Sequence, residues 1–289
     1  MIETDGLVIA GYRVSDIKQK IEFHSHFEYE IYLFHSGVCR YFIHNQIYDL
    51  KPGDILLMDG LTLHKPNVPP DAEYVRSVVQ FSPEWIRGML KAINGMYLLD
   101  IFEKLHHYHI RTKENSEFKA LENVIRRLEQ LKQHTDSSDF NSKLEAKVLL
   151  VQALNIINRL GNFKSNNENN KSEKVNHAEN IANFIKNNYK NDLTIHSIAR
   201  SLNISKFYVS RVFKEMTGFT VMEYVMSSRL TEAKYLLETA PEKPLKDIAL
   251  ESGFKSTSHF SRFFKGKVGV TPMAYRQRRL KFYSEENEC

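Results

Sequence analysis

The chain has 289 residues, of which 42% are hydrophobic and 11% aromatic, enough material for two domains with buried cores. No apolar run approaches the roughly 18 residues of a membrane helix, residues 1–6 are acidic and unlike a signal peptide, and two cysteines, Cys39 and Cys289, support neither a disulfide framework nor a Cys-based zinc site, so a cytoplasmic protein is expected. The net charge of +5 is uneven: residues 1–176 carry 22 basic and 23 acidic side chains, whereas residues 177–284 carry 18 and 9, a net of +9 that suits a polyanionic partner or a solvated lysine-rich surface.

The first part reads as strands. Residues 29–34, 40–44, 47–50, 55–58 and 74–81 are rich in aromatic and β-branched side chains, with Gly37, Asn45-Gln46 and Lys51-Pro52-Gly53-Asp54 as turns. Short strands at this spacing indicate a barrel or sandwich. His24, His26 and Glu30 would point to one face of a strand, a set able to hold a divalent metal or to hydrogen-bond a polar ligand. His35, His44 and His106-His107-His109 show no matching partner spacing and read as surface residues.

Past Pro83 the pattern turns helical. Leu121, Ile125, Leu128 and Leu131 recur at spacings of four and three. Leu144, Val148, Val151 and Leu154 do likewise, flanked by Leu149, Ala153, Ile156 and Leu160. That stripe is too wide for a helix buried on one side, so it is expected to lie between neighbours, either its own β-domain or a second copy. Residues 162–176 are polar and Asn-rich and read as a linker. The divisions expected are a barrel over 1–84, a helical dimerisation segment over 85–162, a linker over 163–176 and a basic helical domain over 177–289.

The basic part contains a repeat. Ile198-Ala199, Tyr208-Val209-Ser210-Arg211-Val212-Phe213-Lys214, Gly218 and Thr220 return as Ile248-Ala249, His259-Phe260-Ser261-Arg262-Phe263-Phe264-Lys265, Gly269 and Thr271. Each copy reads as helix, turn, helix. Thr194 caps the first helix, Asn203 takes the turn and Ser205 caps the second; Gly253 and Ser256 take the turn and cap of the other copy. That is the helix-turn-helix plan, whose second helix enters the major groove.

Helical spacing sorts the faces. Val209, Val212, Phe213 and Met216 should be core in one copy, and Phe260, Phe263 and Phe264 in the other. Lys206, Phe207, Ser210, Arg211 and Lys214 point outward, as do Thr257, Ser258, Ser261, Arg262 and Lys265. Arginine reads guanine, hydroxyls reach bases or phosphates, and lysine suits phosphate. An outward Phe207 makes sense against a thymine methyl or the sugar edge. Residues 221–237 form one uninterrupted helical stretch of about 26 Å, able to hold two reading helices near the ~34 Å spacing of one DNA turn.

Residues 177–281 resemble the DNA-binding domain of the AraC family of bacterial transcription regulators. The resemblance lies in Ile198-Ala199, Ser205, Arg211, Phe213-Lys214, Gly218, Arg229-Leu230, Ala233, Leu236-Leu237, Ile248-Ala249, Gly253-Phe254, Phe260-Ser261-Arg262, Phe264-Lys265, Gly269, Thr271-Pro272 and Tyr275-Arg276. It implies two helix-turn-helix units joined by a long helix, with Phe207 at a position often aromatic in the family. His24, His26 and Glu30, then Pro52-Gly53-Asp54 and His64, resemble a cupin barrel over residues 7–82, as in the sensor half of many such regulators. The ten residues between Gly53 and His64 depart from the enzymatic cupin pattern, which has two, and this weighs against a four-ligand catalytic site.

The expected fold is therefore multidomain α+β: a cupin-like β-barrel with a helical extension, then an all-α double helix-turn-helix domain. Three readings of the barrel stand. In the favoured one, His24, His26, Glu30, Tyr32 and His64 bind a small polar effector, a sugar suiting the aromatic faces. In a second, His24, His26, Glu30 and His64 bind a metal, as in a cupin enzyme fused to a DNA reader. In the third they are structural. The favoured reading has no cofactor and no catalysis. Its expected partners are promoter DNA, the effector, RNA polymerase and a second copy, with activation implied by the resemblance alone.

Overall fold

The computed structural model describes residues 8–15, 28–60, 63–105, 107–112, 116–134, 140–161 and 171–286. The chain divides into two compact units, Met1–Ile43 with Tyr48–Asn170, and Lys171–Cys289 with His44–Ile47.

The first unit holds β1 (Ile9–Val14), β2 (Tyr29–Gly37), β3 (Arg40–Ile43), β4 (Gln46–Asp49), β5 (Asp54–Met58), β6 (His64–Asn67), β7 (Tyr74–Phe81) and β8 (His107–Arg111). They form a five-stranded sheet in the order β1-β7-β2-β5-β8 and a three-stranded sheet in the order β4-β3-β6. Pairing in the larger sheet is antiparallel, with Glu30 opposite both Gln80 of β7 and Met58 of β5.

β2 and β5 are apolar runs without polar alternation because both faces are covered. Tyr32, Phe34, Leu56 and Met58 pack with Tyr41, Ile43 and Tyr74 in one core. Ile31, Leu33, Ile55 and Leu57 pack in another, beneath helices. Those helices are α1 (Pro83–Ala92), α2 (Asp100–Glu103), α3 (Ser116–His134) and α4 (Phe140–Gly161), with a 3-10 turn at Met96–Leu99. Leu121, Ile125 and Leu128 of α3 and Leu150, Ala153, Leu154, Ile156, Ile157 and Leu160 of α4 are buried there. Each fully buried aliphatic side chain contributes about 1.5–3 kcal/mol.

Four features differ from the sequence reading. β1 and β6 add strands beyond the five expected. The stretch expected to be helical also supplies β8, where Tyr108 and Ile110 pack on the helical core in the two-residue period of a strand. The wide stripe on α4 is buried only toward its C-terminal half, while Leu144 and Val148 are exposed. His35 lies inside, not on the surface: its Nε2 is 2.7 Å from Ser77 Oγ and its Nδ1 3.3 Å from Glu122 Oε1. Burial pushes its pKa down to about 4, so the ring is neutral near pH 7.

From Lys171 onward the second unit is built of helices among the described residues: α5 (Glu173–Asn188), α6 (Ile195–Ser201), α7 (Lys206–Thr217), α8 (Val221–Thr239), α9 (Leu245–Glu251), α10 (Thr257–Val268) and α11 (Pro272–Glu286). α5 starts earlier than the expected end of the linker, because the Ser172 hydroxyl caps it and Val175 is already buried. Side-chain caps fix most of the other starts: Thr194 on α6, Ser205 on α7, Thr220 on α8 and Ser256 on α10. Such caps are worth about 1 kcal/mol each.

The repeat is structural. α6–turn–α7 and α9–turn–α10 each end on a left-handed glycine, Gly218 and Gly269, whose N–H donates to the carbonyl of Lys214 or Lys265 at 2.9 Å. Behind α7 and α10 a phenylalanine packs on a tyrosine of the next helix: Phe213 on Tyr224 at 5.5 Å, Phe264 on Tyr275 at 5.3 Å.

Candidate nucleic-acid interface

α7 and α10 present the same five positions outward. On α7, Lys206, Phe207, Arg211 and Lys214 are exposed, and Ser210 is half-buried with its hydroxyl donating to the Lys206 carbonyl at 3.1 Å. Phe207 is 77% exposed, with Lys206 Nζ 5.2 Å from its ring centroid. Behind this face Val209, Val212, Phe213 and Met216 are buried, as expected.

On α10, Ser258, Arg262 and Lys265 are exposed and Thr257 and Ser261 half-buried. Phe260 and Phe264 are buried, but Phe263 is only partly covered, packed on the edge of the core beside Phe254. A groove lined by Ser258, Ser261, Arg262, Lys265 and Gly266 runs from this face to Thr271 at the start of α11.

Several cations away from the two faces are paired, although Lys186, Arg200 and Lys246 have no carboxylate partner among the described residues. Lys174, Lys190, Lys243 and Lys255 are held by Glu215, Glu232, Glu251 and Asp192 at 2.7–3.0 Å. Arg229 of α8 and Arg276 of α11, two of the basic residues that carry the family resemblance, direct their donors to backbone carbonyls. Arg229 reaches Tyr189 and Asn191 at 2.8 Å, and Arg276 reaches Lys243 at 2.7 Å. Burial lowers the pKa of Arg229, yet it stays far above neutrality as for any arginine. By contrast, none of Lys206, Arg211, Lys214, Arg262 and Lys265 forms an ion pair among the described residues. Five cations left without carboxylates, on two repeated faces, suit a polyanion.

The first unit holds a buried polar cluster. Glu30 and His64 face each other with Oε2 and Nε2 3.7 Å apart, and Gln80, opposite Glu30 in the sheet, donates to the same carboxylate at 2.9 Å. The His64 ring stacks on Tyr41 at 6.4 Å, Tyr41 meets Tyr32 edge-on at 4.9 Å, and the Tyr32 hydroxyl donates to Tyr74 at 2.9 Å. Burial raises the pKa values of Tyr32 and Tyr41 well above the usual phenol range and pushes the Cys39 thiol up to about 12. These groups are therefore neutral hydrogen-bonding partners near pH 7.

Of the five sequence candidates, Glu30, Tyr32 and His64 thus meet in one interior, while His24 and His26 lie outside the described residues. Tyr41, Tyr74 and Gln80 were not anticipated; the two-residue period from Glu30 through Tyr32 and the cross-strand register carry that signal. Among the described residues no group of three or more His, Cys, Asp or Glu side chains is arranged to hold a metal ion. Of the histidines read as surface residues, His44 and His107 are half-buried, His106 lies outside the described residues, and His109 is largely covered with its Nε2 3.1 Å from buried Asp54. Burial raises the Asp54 pKa, but the nearby His109 ring and hydrogen bonds from Arg111 outweigh it and the net shift is downward.

Two family models match. One described as an AraC-like ligand binding domain covers residues 6–154, and one described as a helix-turn-helix domain covers residues 198–278. Three relatives illustrate the range. The Msm operon regulatory protein of Streptococcus mutans is 30% identical over 110 residues, 38% of this chain and 39% of that protein. The melibiose operon regulatory protein of Escherichia coli is 33% identical over 94 residues, 32% of this chain and 31% of that one. The HTH-type transcriptional regulator YdeC of Bacillus subtilis is 22% identical over 275 residues, 94% of this chain and 92% of that one. The match therefore takes in less than half the length of the first two. No helix among the described residues is long and apolar enough to cross a membrane.

Proposed function

This chain is a member of the AraC family of transcription regulators, and on that premise we propose how its two units divide the work. It is a DNA-binding regulator with a ligand-binding domain. In the proposed reading α7 and α10 enter successive major grooves of promoter DNA. Arg211 and Arg262 read guanines, Phe207 meets a thymine methyl, and Ser210, Thr257, Ser258 and Ser261 reach bases or phosphates. Lys206, Lys214 and Lys265 hold the backbone. The observation that carries this is the pair of matched faces whose five cations have no carboxylate partner among the described residues.

The test is gel-shift titration with duplexes selected from a random pool by the full chain. Three lysine–phosphate contacts alone give log K against log salt a slope near −3, so the full interface should be steeper than about −3. A flat salt dependence would discard the assignment.

In the first unit the interior around Glu30, Tyr32 and His64, with His24 and His26, is proposed to take a small polar effector. A sugar suits its hydroxyl donors, carboxylate and ring faces, and one relative is named for a melibiose operon. The proposed protein is cytoplasmic and not an enzyme, and it activates transcription with RNA polymerase as partner.

The segment 85–162 is proposed to carry the dimer contact. Phe140, Leu144 and Val148 of α4 lie four residues apart on one face and are all exposed, Phe140 by 75%. Sedimentation of the full chain and of Leu144→Lys tests this: a dimer that becomes a monomer is expected, and an unchanged dimer would place the contact elsewhere. The effector then shifts the population between arrangements of the DNA-binding units.

A further inference from the structure

Between the two reading faces one difference stands out. The ring of Tyr208, on α7, lies under the guanidinium of Arg211, with Cζ 5.8 Å from the ring centroid. Its hydroxyl is hydrogen-bonded to His177 Nδ1 of α5 at 2.9 Å, and the two rings meet edge-on at 5.4 Å. Tyr208 is only half-buried, so its ring is not spent on the core. α5 is held on α7 a second time, by Lys174 on Glu215 at 2.7 Å.

α10 has no such arrangement. The residue matching Tyr208 is His259, which is exposed and whose ring meets those of Phe254 and Phe263. Among the described residues its ring makes no hydrogen bond, and Arg262 lies over no aromatic ring.

We propose that Tyr208 is a positioning residue for base reading by Arg211, and that His177 sets it from α5, the first helix of the second unit. An arginine on a helix surface has many rotamers, and ordering one of them on binding costs free energy. A ring beneath the guanidinium restricts that choice in advance. A hydrogen bond to a residue on another helix fixes the ring in turn. The first reading helix then carries a pre-set arginine and the second a freer one, so base discrimination is sharper in the half-site read by α7. The inference rests on the assignment of Arg211 to base reading.

The test is a mutant cycle on a selected duplex, scoring the ratio of affinities for the selected base and its alternatives at the position that Arg211 reads. Arg211→Ala lowers this ratio by about tenfold or more. Tyr208→Leu lowers it by about threefold to fivefold in the native background, and not at all in the Arg211→Ala background. A merely structural role for Tyr208 would cost affinity equally in both backgrounds and for random duplex as well as selected duplex.

His177→Ala should lower the ratio by about twofold to threefold and His177→Gln, which can still bond the phenol, should restore it. Tyr208→Phe keeps the ring and serves if Tyr208→Leu does not fold; it should match His177→Ala and add nothing to it. Equal losses for Tyr208→Leu in both backgrounds, or full discrimination in both His177→Ala and Tyr208→Phe, would overturn the proposal while leaving base reading by Arg211 intact. If Arg211→Ala itself leaves the ratio unchanged, the reading assignment falls and the proposal with it.

Discussion

Asn203 and Gly253 take the same place in the two helix-turn-helix units, 50 residues apart, and both have left-handed backbone, φ +55° and φ +86°. Their surroundings differ. A Cβ on Gly253 would lie 2.8 Å from the Lys190 Cα, 2.9 Å from the Tyr189 carbonyl oxygen and 3.1 Å from Arg229 Nε. Asn203 is exposed and already carries its side chain in that conformation.

Gly253→Ala is accordingly expected to destabilise the second unit by about 2–4 kcal/mol, from the left-handed strain plus a clash with main-chain atoms that cannot rotate away. Asn203→Gly should stay within about 0.5 kcal/mol of the native chain. Denaturant unfolding of the full chain followed by helix signal checks both; equal effects would mean the two turns are packed alike.

Arg229 tests the separation of structural from reading arginines. Arg229→Met removes donors from the Tyr189 and Asn191 carbonyls and should lower stability by about 1–3 kcal/mol. Arg211→Ala should leave the melting temperature unchanged while weakening specific binding. The reverse pattern, with Arg229→Met stable and blind to DNA, would place Arg229 in the interface.

Much of the second unit was legible because short-range chemistry decides it. Ser205 and Ser256 cap α7 and α10, and a residue tolerant of left-handed backbone sits at each turn. The start of α5 was less legible, since Ser172 caps a helix from within an Asn-rich run. In the first unit, β8 escaped because a five-residue strand with two apolar side chains, set inside a stretch of helical periodicity, shows no strand signal of its own until β5 pairs with it. His35 reads as polar surface, and only the fold brings Ser77 and Glu122 to its ring. The cluster around Glu30 was legible in part: His64 could be nominated from a motif, whereas Gln80 enters through register alone.

His35 also predicts a pH dependence. Its folded pKa of about 4 lies below the ordinary value of 6.5, so the unfolded chain binds the proton more readily. Its contribution is complete above about pH 6.5 and is lost as pH falls from there to about 4, a change of about 2–3 kcal/mol. His35→Gln, which can still bond Ser77, should flatten the acid side of the first unit's unfolding profile in that window. An unchanged profile would mean the ring is not neutral in the folded protein.

The effector reading is tested with a panel of mono- and disaccharides by thermal shift. A ligand at 100 times its Kd adds about 2.7 kcal/mol. One sugar should raise the melting temperature of the native chain and fail to do so in Glu30→Gln, whose basal DNA binding should be unchanged. A sugar that stabilises both equally would bind somewhere other than the Glu30–His64 interior.

In the proposed reading one chain reads two successive major grooves through α7 and α10. Methylation-protection footprinting on a selected duplex examines it directly, comparing the native chain with Arg211→Ala and Arg262→Ala. The native chain should protect guanines at two places about one helical turn, ~34 Å, apart. Each substitution should remove one of the two and cost about 1–3 kcal/mol of specific binding. Both protections persisting in both variants, or both vanishing together in either one with the fold intact, would contradict two independent reading helices.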